Sequence, residues 1–250
     1  MKSFFATLVL FAAALSAACG STDADVAAAQ GLAGRIVPGY ASKIRFEKLA
    51  PAADSADRFE LETVGRKLVV RGNNANSMAV GLNHFLKYYA RANVSWFADQ
   101  PVEVPAQMPQ VAEKVAHRAL LDDRFFLNYC TFGYTMVWWQ WRDWERLIDW
   151  MALNGVTLPL AITGQEAVWA RVWQKLGLTD EQIRSYFTGP AHLPWHRMSN
   201  LDYWQSPLPQ SWLDAQVELQ QRIVAREREL NMKPVLPAFA GHVPAELGTI

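Results

Sequence analysis

The sequence predicts an α/β protein in two parts, and three observations carry that reading. Alternating apolar and polar residues over 43–47, 58–64 and 67–72 describe half-buried strands, and the segment 76–90 that follows has helical spacing. Pro101, Pro105 and Pro109 then break the pattern, because closely spaced prolines resist both a helix and a central strand. Beyond them an amphipathic helix, a short apolar strand and a second helix alternate, which is the rhythm of a parallel sheet covered by helices.

The first part, residues 35–110, reads as a small α/β domain: three strands with one covering helix whose Met78, Leu82, Phe85, Leu86 and Tyr89 share a side. His84 lies in that helix and is assigned no chemistry. Residues 20–34 are small and polar and read as a flexible tether. The second part is expected to start near His117 and to run from 117 to 250. Leu120 to Leu127 is its first candidate strand, delivering Asn128 and Cys130 to the carboxyl end.

The helix from Trp141 follows. Trp141, Trp144, Leu147, Ile148 and Met151 recur at helical spacing, while Arg142, Asp143, Glu145, Arg146 and Asp149 fall on the other side. Gly155 closes it, as a residue able to take the left-handed conformation does. Val156 to Ala161 is a buried strand, Thr163 to Glu166 a polar turn, and Glu166 to Leu176 a second helix ended by Gly177. Thr179-Asp180-Glu181-Gln182 has the capping-box form. Residues 188–209 make a long excursion rich in Pro, Trp and His, and a loop of that length in a compact domain is usually functional. Ser211 with Asp214 opens the next helix, to about Leu230, and Pro234 to Ala240 is the third strand.

Polar residues at the carboxyl end of such strands are where alternating α/β folds place their chemistry. A closed (β/α)8 barrel needs roughly 250 residues for itself, and about half that number remains after the leader and the small domain. The expectation is therefore the first part of a truncated barrel within a longer protein.

Twenty-four basic and 24 acidic residues cancel, and no basic cluster tracks a phosphate backbone, so no nucleic-acid partner is expected. Eleven Trp in 250 residues are open to two readings: core packing, or stacking of the apolar face of a pyranose in a sugar cleft. The N-terminus has a targeting pattern, with Lys2, an apolar run from Phe4 to Leu15, and the small residues Ser16-Ala17-Ala18. The run is too short to span a membrane. Cys19 after Ala17-Ala18 resembles a bacterial lipoprotein box, in which the cysteine is lipidated, although Ser16 is a weak residue there and plain secretion is the alternative. Export to the periplasm, the outer membrane or the medium follows, with a membrane contact only through a lipid anchor. Cys130 is the only other cysteine, so no internal disulfide is expected.

Several blocks, in order, resemble the α-N-acetylglucosaminidases of glycoside hydrolase family 89: Asn128-Tyr129-Cys130-Thr131, the run Trp138-Trp139-Gln140-Trp141, Trp150 to Gly155, Gly164-Gln165-Glu166-Ala167, Phe187 to Ala191, and Pro234 to Pro244. The likeness is close over 118–250 and looser before it. It implies a small domain ahead of a (β/α)8 barrel, a retaining hydrolase acting on glycans with terminal α-linked N-acetylglucosamine, and no cofactor. It also implies that the acid/base and the nucleophile are glutamates on later strands, so no catalytic residue is assigned within 1–250.

The resemblance implies that Asn128, Cys130 and Trp195 line the sugar pocket, with Gln165, Glu166 and His242 as further substrate-binding candidates. The residues alone leave alternatives: a turn for Asn128, a small buried side chain for Cys130, a helix-dipole partner for Glu166, and a structural role for His242. No second ligand at suitable spacing suggests a metal at His242. Ile162-Thr163 departs from the Trp-Ser that commonly precedes Gly-Gln-Glu in the family. A carbohydrate-binding protein without catalysis, or an exo-glycosidase of other sugar specificity, are the alternative functions.

Overall fold

The computed structural model describes residues 23–50, 53–98, 100–237 and 241–249. Cys19 and the expected leader lie outside the described residues, as do positions 238–240 of the expected third strand.

The expected tether is instead a helix. Helix α1, Ala24–Ile36, starts at Asp23, whose carboxylate accepts hydrogen bonds from the amides of Asp25 and Val26. Ala28, Ala29, Leu32 and Ala33 are buried along one face. Small residues are poor in apolar area, which is why composition suggests a tether. Their small size lets a helix backbone lie close to its neighbours, and here α1 packs on the first strand and on the covering helix. A short second helix, α2, Pro38–Ala41, follows.

Strands β1, Ile44–Lys48, β2, Arg58–Val64, and β3, Lys67–Gly72, fall where the alternation predicts them. β3 lies between the other two, parallel to β1 and antiparallel to β2. Helix α3, Ala75–Tyr88, is capped by the Asn74 side chain, which accepts from the Ser77 amide, and it buries Met78, Leu82, Phe85 and Leu86 on the sheet. The second part does not begin at His117. Residues Val115–Arg118 form β4, which pairs antiparallel with β2, Phe59 opposite His117. The proline-rich segment is likewise held to the first part: Val111 exchanges bonds with Thr63, and the Tyr40 hydroxyl donates to the Pro105 carbonyl.

In the second part β5, Phe125–Phe126, and β6, Leu158–Pro159, pair in parallel. Leu160 makes a further parallel bridge to Val235, so all three expected strands contribute in the expected direction. They are shorter than the apolar runs suggested: Leu120 and Leu121 are 93% and 67% exposed and lie outside β5.

The chain leaves β5 through a one-turn helix, α4, Thr131–Tyr134. Helix α5, Trp141–Leu153, buries Trp144, Leu147, Ile148 and Met151 as its periodicity requires, and Gly155 follows with φ 75°. Asp149 was expected on the solvent side of this helix. It is 1% exposed, because the guanidinium of Arg35 on α1 reaches it with two bonds of 2.7 Å.

Helix α6, Gln165–Lys175, and helix α7, Asp180–Tyr186, match expectation. The predicted capping box is formed: the Thr179 amide donates to Gln182 Oε1 at 2.8 Å, and the Gln182 amide donates to Thr179 Oγ1 at 3.3 Å. The long excursion is more ordered than a loop. It folds into a 3₁₀ turn, Pro190–His192, and a short helix α8, Leu193–Arg197, with Leu193, Pro194, His196 and Arg197 buried. Helix α9, Gln210–Glu229, then packs on α5 and α6. No helix among the described residues is long and apolar enough to cross a membrane.

Candidate functional site

The site is built from the carboxyl end of β5 outward. Leu127, directly after the strand, has φ 81°, a conformation that a branched side chain adopts only under constraint from its surroundings. It turns the backbone so that Asn128 and Cys130 emerge exposed. Asn128 Oδ1 accepts from both the amide and the hydroxyl of Thr131, each at 3.1 Å. The side chain therefore starts α4 as well as facing solvent, so the turn-forming role weighed from sequence is present. Cys130 is exposed, which removes the reading of a small buried residue.

Helix α8 comes to this turn from the later excursion. The Trp195 ring, half-buried, meets Tyr134 edge to face with centroids 5.3 Å apart. Gly133 makes that approach possible: a Cβ there would stand 2.5 Å from Trp195 Cζ3. Asn128, Cys130 and Trp195 are thus gathered around one turn of helix, although residues 128 and 195 are far apart in sequence.

Glu166 and Gln165 open α6 at the carboxyl end of β6. Glu166 is 1% exposed, and Arg197 of α8 grips both of its oxygens, Nε to Oε1 at 2.6 Å and Nη2 to Oε2 at 2.9 Å. With the carboxylate so engaged, Glu166 acts on its surroundings through Arg197 and is not an open ligand contact. Gln165 is half-buried and its Oε1 is buried without a hydrogen-bond partner. Burial pushes the Tyr129 phenol above its ordinary range while the charge of Arg197 pulls it back, which puts Arg197 within electrostatic reach of the β5 turn.

His242 belongs to a different cluster. Its ring packs 5.3 Å from both Tyr186 and His196, and its Nε2 lies 3.9 Å from Asp202 Oδ2. His196 is fully buried, with Nδ1 3.1 Å from the Leu201 carbonyl. A carbonyl only accepts, so Nδ1 carries the hydrogen. Burial pushes the His196 pKa down to about 4, so the ring is neutral at pH 7. No group of three His, Cys, Asp or Glu among the described residues could hold a metal ion.

The tryptophans divide by exposure. Trp144, Trp169 and Trp173 are buried, whereas Trp138 and Trp204 are 67% and 53% exposed. Ile162, where the family commonly has tryptophan, is fully buried, and Thr163 beside it is buried too. Arg197 and Tyr134 were not singled out from sequence. Glu166 and Arg197 are 31 residues apart, and no local periodicity links them.

Two family descriptions match the chain in order. The N-terminal domain of alpha-N-acetylglucosaminidase (NAGLU) covers residues 27–110, and its tim-barrel domain covers residues 124–250. The chain belongs to the α-N-acetylglucosaminidase family. It is 42% identical over 240 residues to human alpha-N-acetylglucosaminidase, covering 94% of this chain and 32% of the human protein. The family 89 glycoside hydrolase from Clostridium perfringens, solved in complex with 2-acetamido-1,2-dideoxynojirimycin, superposes with a TM-score of 0.86 at 32% identity. That match covers 90% of this chain and 26% of the other. The same bacterial enzyme, with two glutamates changed to glutamine, has been solved with its substrate GlcNAc-alpha-1,4-galactose and matches equally, at a TM-score of 0.86. The chain spans about a third of the human relative's length and a quarter of the bacterial one's. These matches bear out the fold read from sequence, a small α/β domain followed by the first part of a (β/α)8 barrel.

Proposed function

We propose that the complete protein removes terminal α-linked N-acetylglucosamine from glycans with retention of configuration, and that this chain supplies one wall of the sugar site. The observation that supports this reading is the gathering of exposed Asn128 and Cys130 with half-buried Trp195 at the carboxyl end of β5, where barrel enzymes carry their chemistry. Asn128 Oδ1 is engaged by Thr131, so its amide nitrogen is the group turned to the sugar, donating to a hydroxyl or to the acetamido carbonyl. Trp195 offers a ring face to the apolar side of the pyranose. Gln165 and His242 are retained as weaker candidates for substrate contact, His242 from its separate cluster with Tyr186 and His196.

Retaining hydrolysis needs one carboxylic acid to protonate the leaving oxygen and one carboxylate to attack the anomeric carbon. The substrate complex of the bacterial relative carries two glutamate-to-glutamine changes, in keeping with such a pair. We assign both roles to glutamates on later strands and none to Glu166, whose carboxylate is bound to Arg197.

The complete protein should release the aryl alcohol from an aryl α-N-acetylglucosaminide, and residues 1–250 alone should not. A complete protein that binds N-acetylglucosamine but never cleaves it would instead be a carbohydrate-binding protein. Export as a lipoprotein is a separate proposal resting on Ala17-Ala18-Cys19. A labelled fatty acid should be incorporated and the label lost in Cys19→Ser, whereas cleavage elsewhere without label means plain secretion.

A further inference from the structure

We propose that Arg197 is a positioning residue for the sugar site, its ion pair with Glu166 holding Trp195 at the working distance from the Asn128 turn. This rests on the functional reading above and deepens it. Helix α8 has only five residues, Leu193–Arg197, too few to set its own orientation. Its Leu193 and His196 are buried and seat it, and two further contacts bear on where Trp195 stands. On one side Trp195 lies against Gly133 and Tyr134 of the β5 turn. On the other, two residues along, Arg197 is bound by Glu166 at the start of α6.

The segment that carries Glu166 is enclosed, with Ala161, Ile162 and Ala167 all buried. The side chains of Arg197 and Glu166 are 6% and 1% exposed. A buried ion pair is an inefficient way to add stability, since apolar residues of similar size often serve as well. What the planar guanidinium adds is direction: two parallel bonds to one carboxylate fix both the distance and the rotation of the helix that carries it. Leu193 and His196 keep α8 seated, and the fork sets the rotation that carries Trp195.

The test uses the complete protein. Glu166→Leu combined with Arg197→Met removes the clamp without leaving a buried charge unpaired. Its KM for an aryl α-N-acetylglucosaminide, and its Kd for 2-acetamido-1,2-dideoxynojirimycin, should each rise about tenfold or more, while kcat falls less and the melting temperature stays close to wild type.

The decisive reading is a cycle with Trp195→Ala. If the clamp works through Trp195, removing the ring from the clamp-free protein should cost less than about threefold in kcat/KM, against tenfold or more in the intact one. Should the paired variant fail to fold, Arg197→Lys, which keeps the charge and loses the fork, enters the same cycle. Unchanged KM and Kd, or losses that multiply independently, would make the pair structural and overturn the proposal. A wild-type protein with neither activity nor inhibitor binding would overturn the functional reading, and the clamp's role with it.

Discussion

Arg35 and Asp149 stand 114 residues apart in the chain, yet their side chains share two hydrogen bonds of 2.7 Å. The pair ties α1 of the small domain to α5 of the second part. Its carboxylate is almost fully enclosed and its guanidinium is 29% exposed. Burial raises the Asp149 pKa and Arg35 opposes it, so the aspartate depends on its partner to remain charged.

Removing Arg35 should therefore destabilise the protein more than a surface change would. Arg35→Ala leaves a buried carboxylate unpaired, a loss of about 3–5 kcal/mol for fully enclosed pairs. Partial exposure of Arg35 reduces this to roughly 2–3 kcal/mol. Thermal melts should show a drop of several degrees, and Arg35→Leu with Asp149→Leu should recover most of it. A melt of Arg35→Ala at the wild-type temperature would mean that α1 is held by its alanine face alone.

Asn128 and Trp195 should act on the sugar more than on the fold. Each →Ala change should lower kcat/KM on an aryl α-N-acetylglucosaminide about tenfold or more, the effect of one lost contact of on the order of 1 kcal/mol or somewhat above. Because Asn128 also starts α4, Asn128→Ala has a capping loss of about 1 kcal/mol as well. Asn128→Asp is the cleaner variant, keeping the oxygen that Thr131 uses and removing the amide donor. If Asn128→Asp retains full activity, the residue serves the turn only.

His196 gives the protein an acid sensitivity. Its folded pKa, about 4, lies below the ordinary 6.5, so the unfolded chain takes up the proton first as pH falls. The stability it allows is complete above about pH 6.5 and is lost progressively down to about pH 4, by roughly 2–3 kcal/mol. His196→Gln should flatten the melting temperature over that interval. A slope identical to wild type would place the acid sensitivity elsewhere.

Glu227 works in the opposite direction. It is fully buried on α9, neither carboxylate oxygen has a hydrogen-bond partner, and burial pushes its pKa up to about 8 from 4.5. The unfolded chain ionises first as pH rises, so stability is full below about pH 4.5 and is lost as pH climbs through about 8, by roughly 2–4 kcal/mol. Glu227→Met should raise the melting temperature at pH 8 and change it little at pH 4.5. A variant less stable at both would show that the carboxyl group has a partner that matters.

Residues 1–250 expressed alone should aggregate. Val168, Val172 and Leu176 form a stripe on α6 at 57%, 47% and 50% exposure, and Leu236 nearby is 65% exposed. Val168, Val172 and Leu236 border a cleft of about 470 Å³ between α6, α9 and the end of the sheet. Contiguous apolar surface of this kind, beside an open sheet edge, invites association. A sharp melt from a soluble monomer in sedimentation would contradict this.

What the sequence determined by itself is the order and kind of the main elements, β1 to β3 with α3, then β5, α5, β6, α6, α7 and α9. The strands of the small domain, the buried face of α5, the stops at Gly155 and Gly177 and the Thr179–Gln182 cap all follow from spacing within a few residues, and local geometry is what a single sequence displays. In the site, the resemblance singled out Asn128, Cys130 and Trp195, which the fold then brings around one turn. The tertiary structure alone decided the rest. Alanines 28, 29 and 33 become a packing face only where α1 has a partner close enough for small side chains to matter. Asp149 turns inward because Arg35 meets it, β4 joins the first sheet because β2 offers an edge, and Glu166 leaves the list of open contacts because Arg197 closes on it from 31 residues away. Each of these depends on charge or shape at a distance in the chain, where neither periodicity nor propensity carries information.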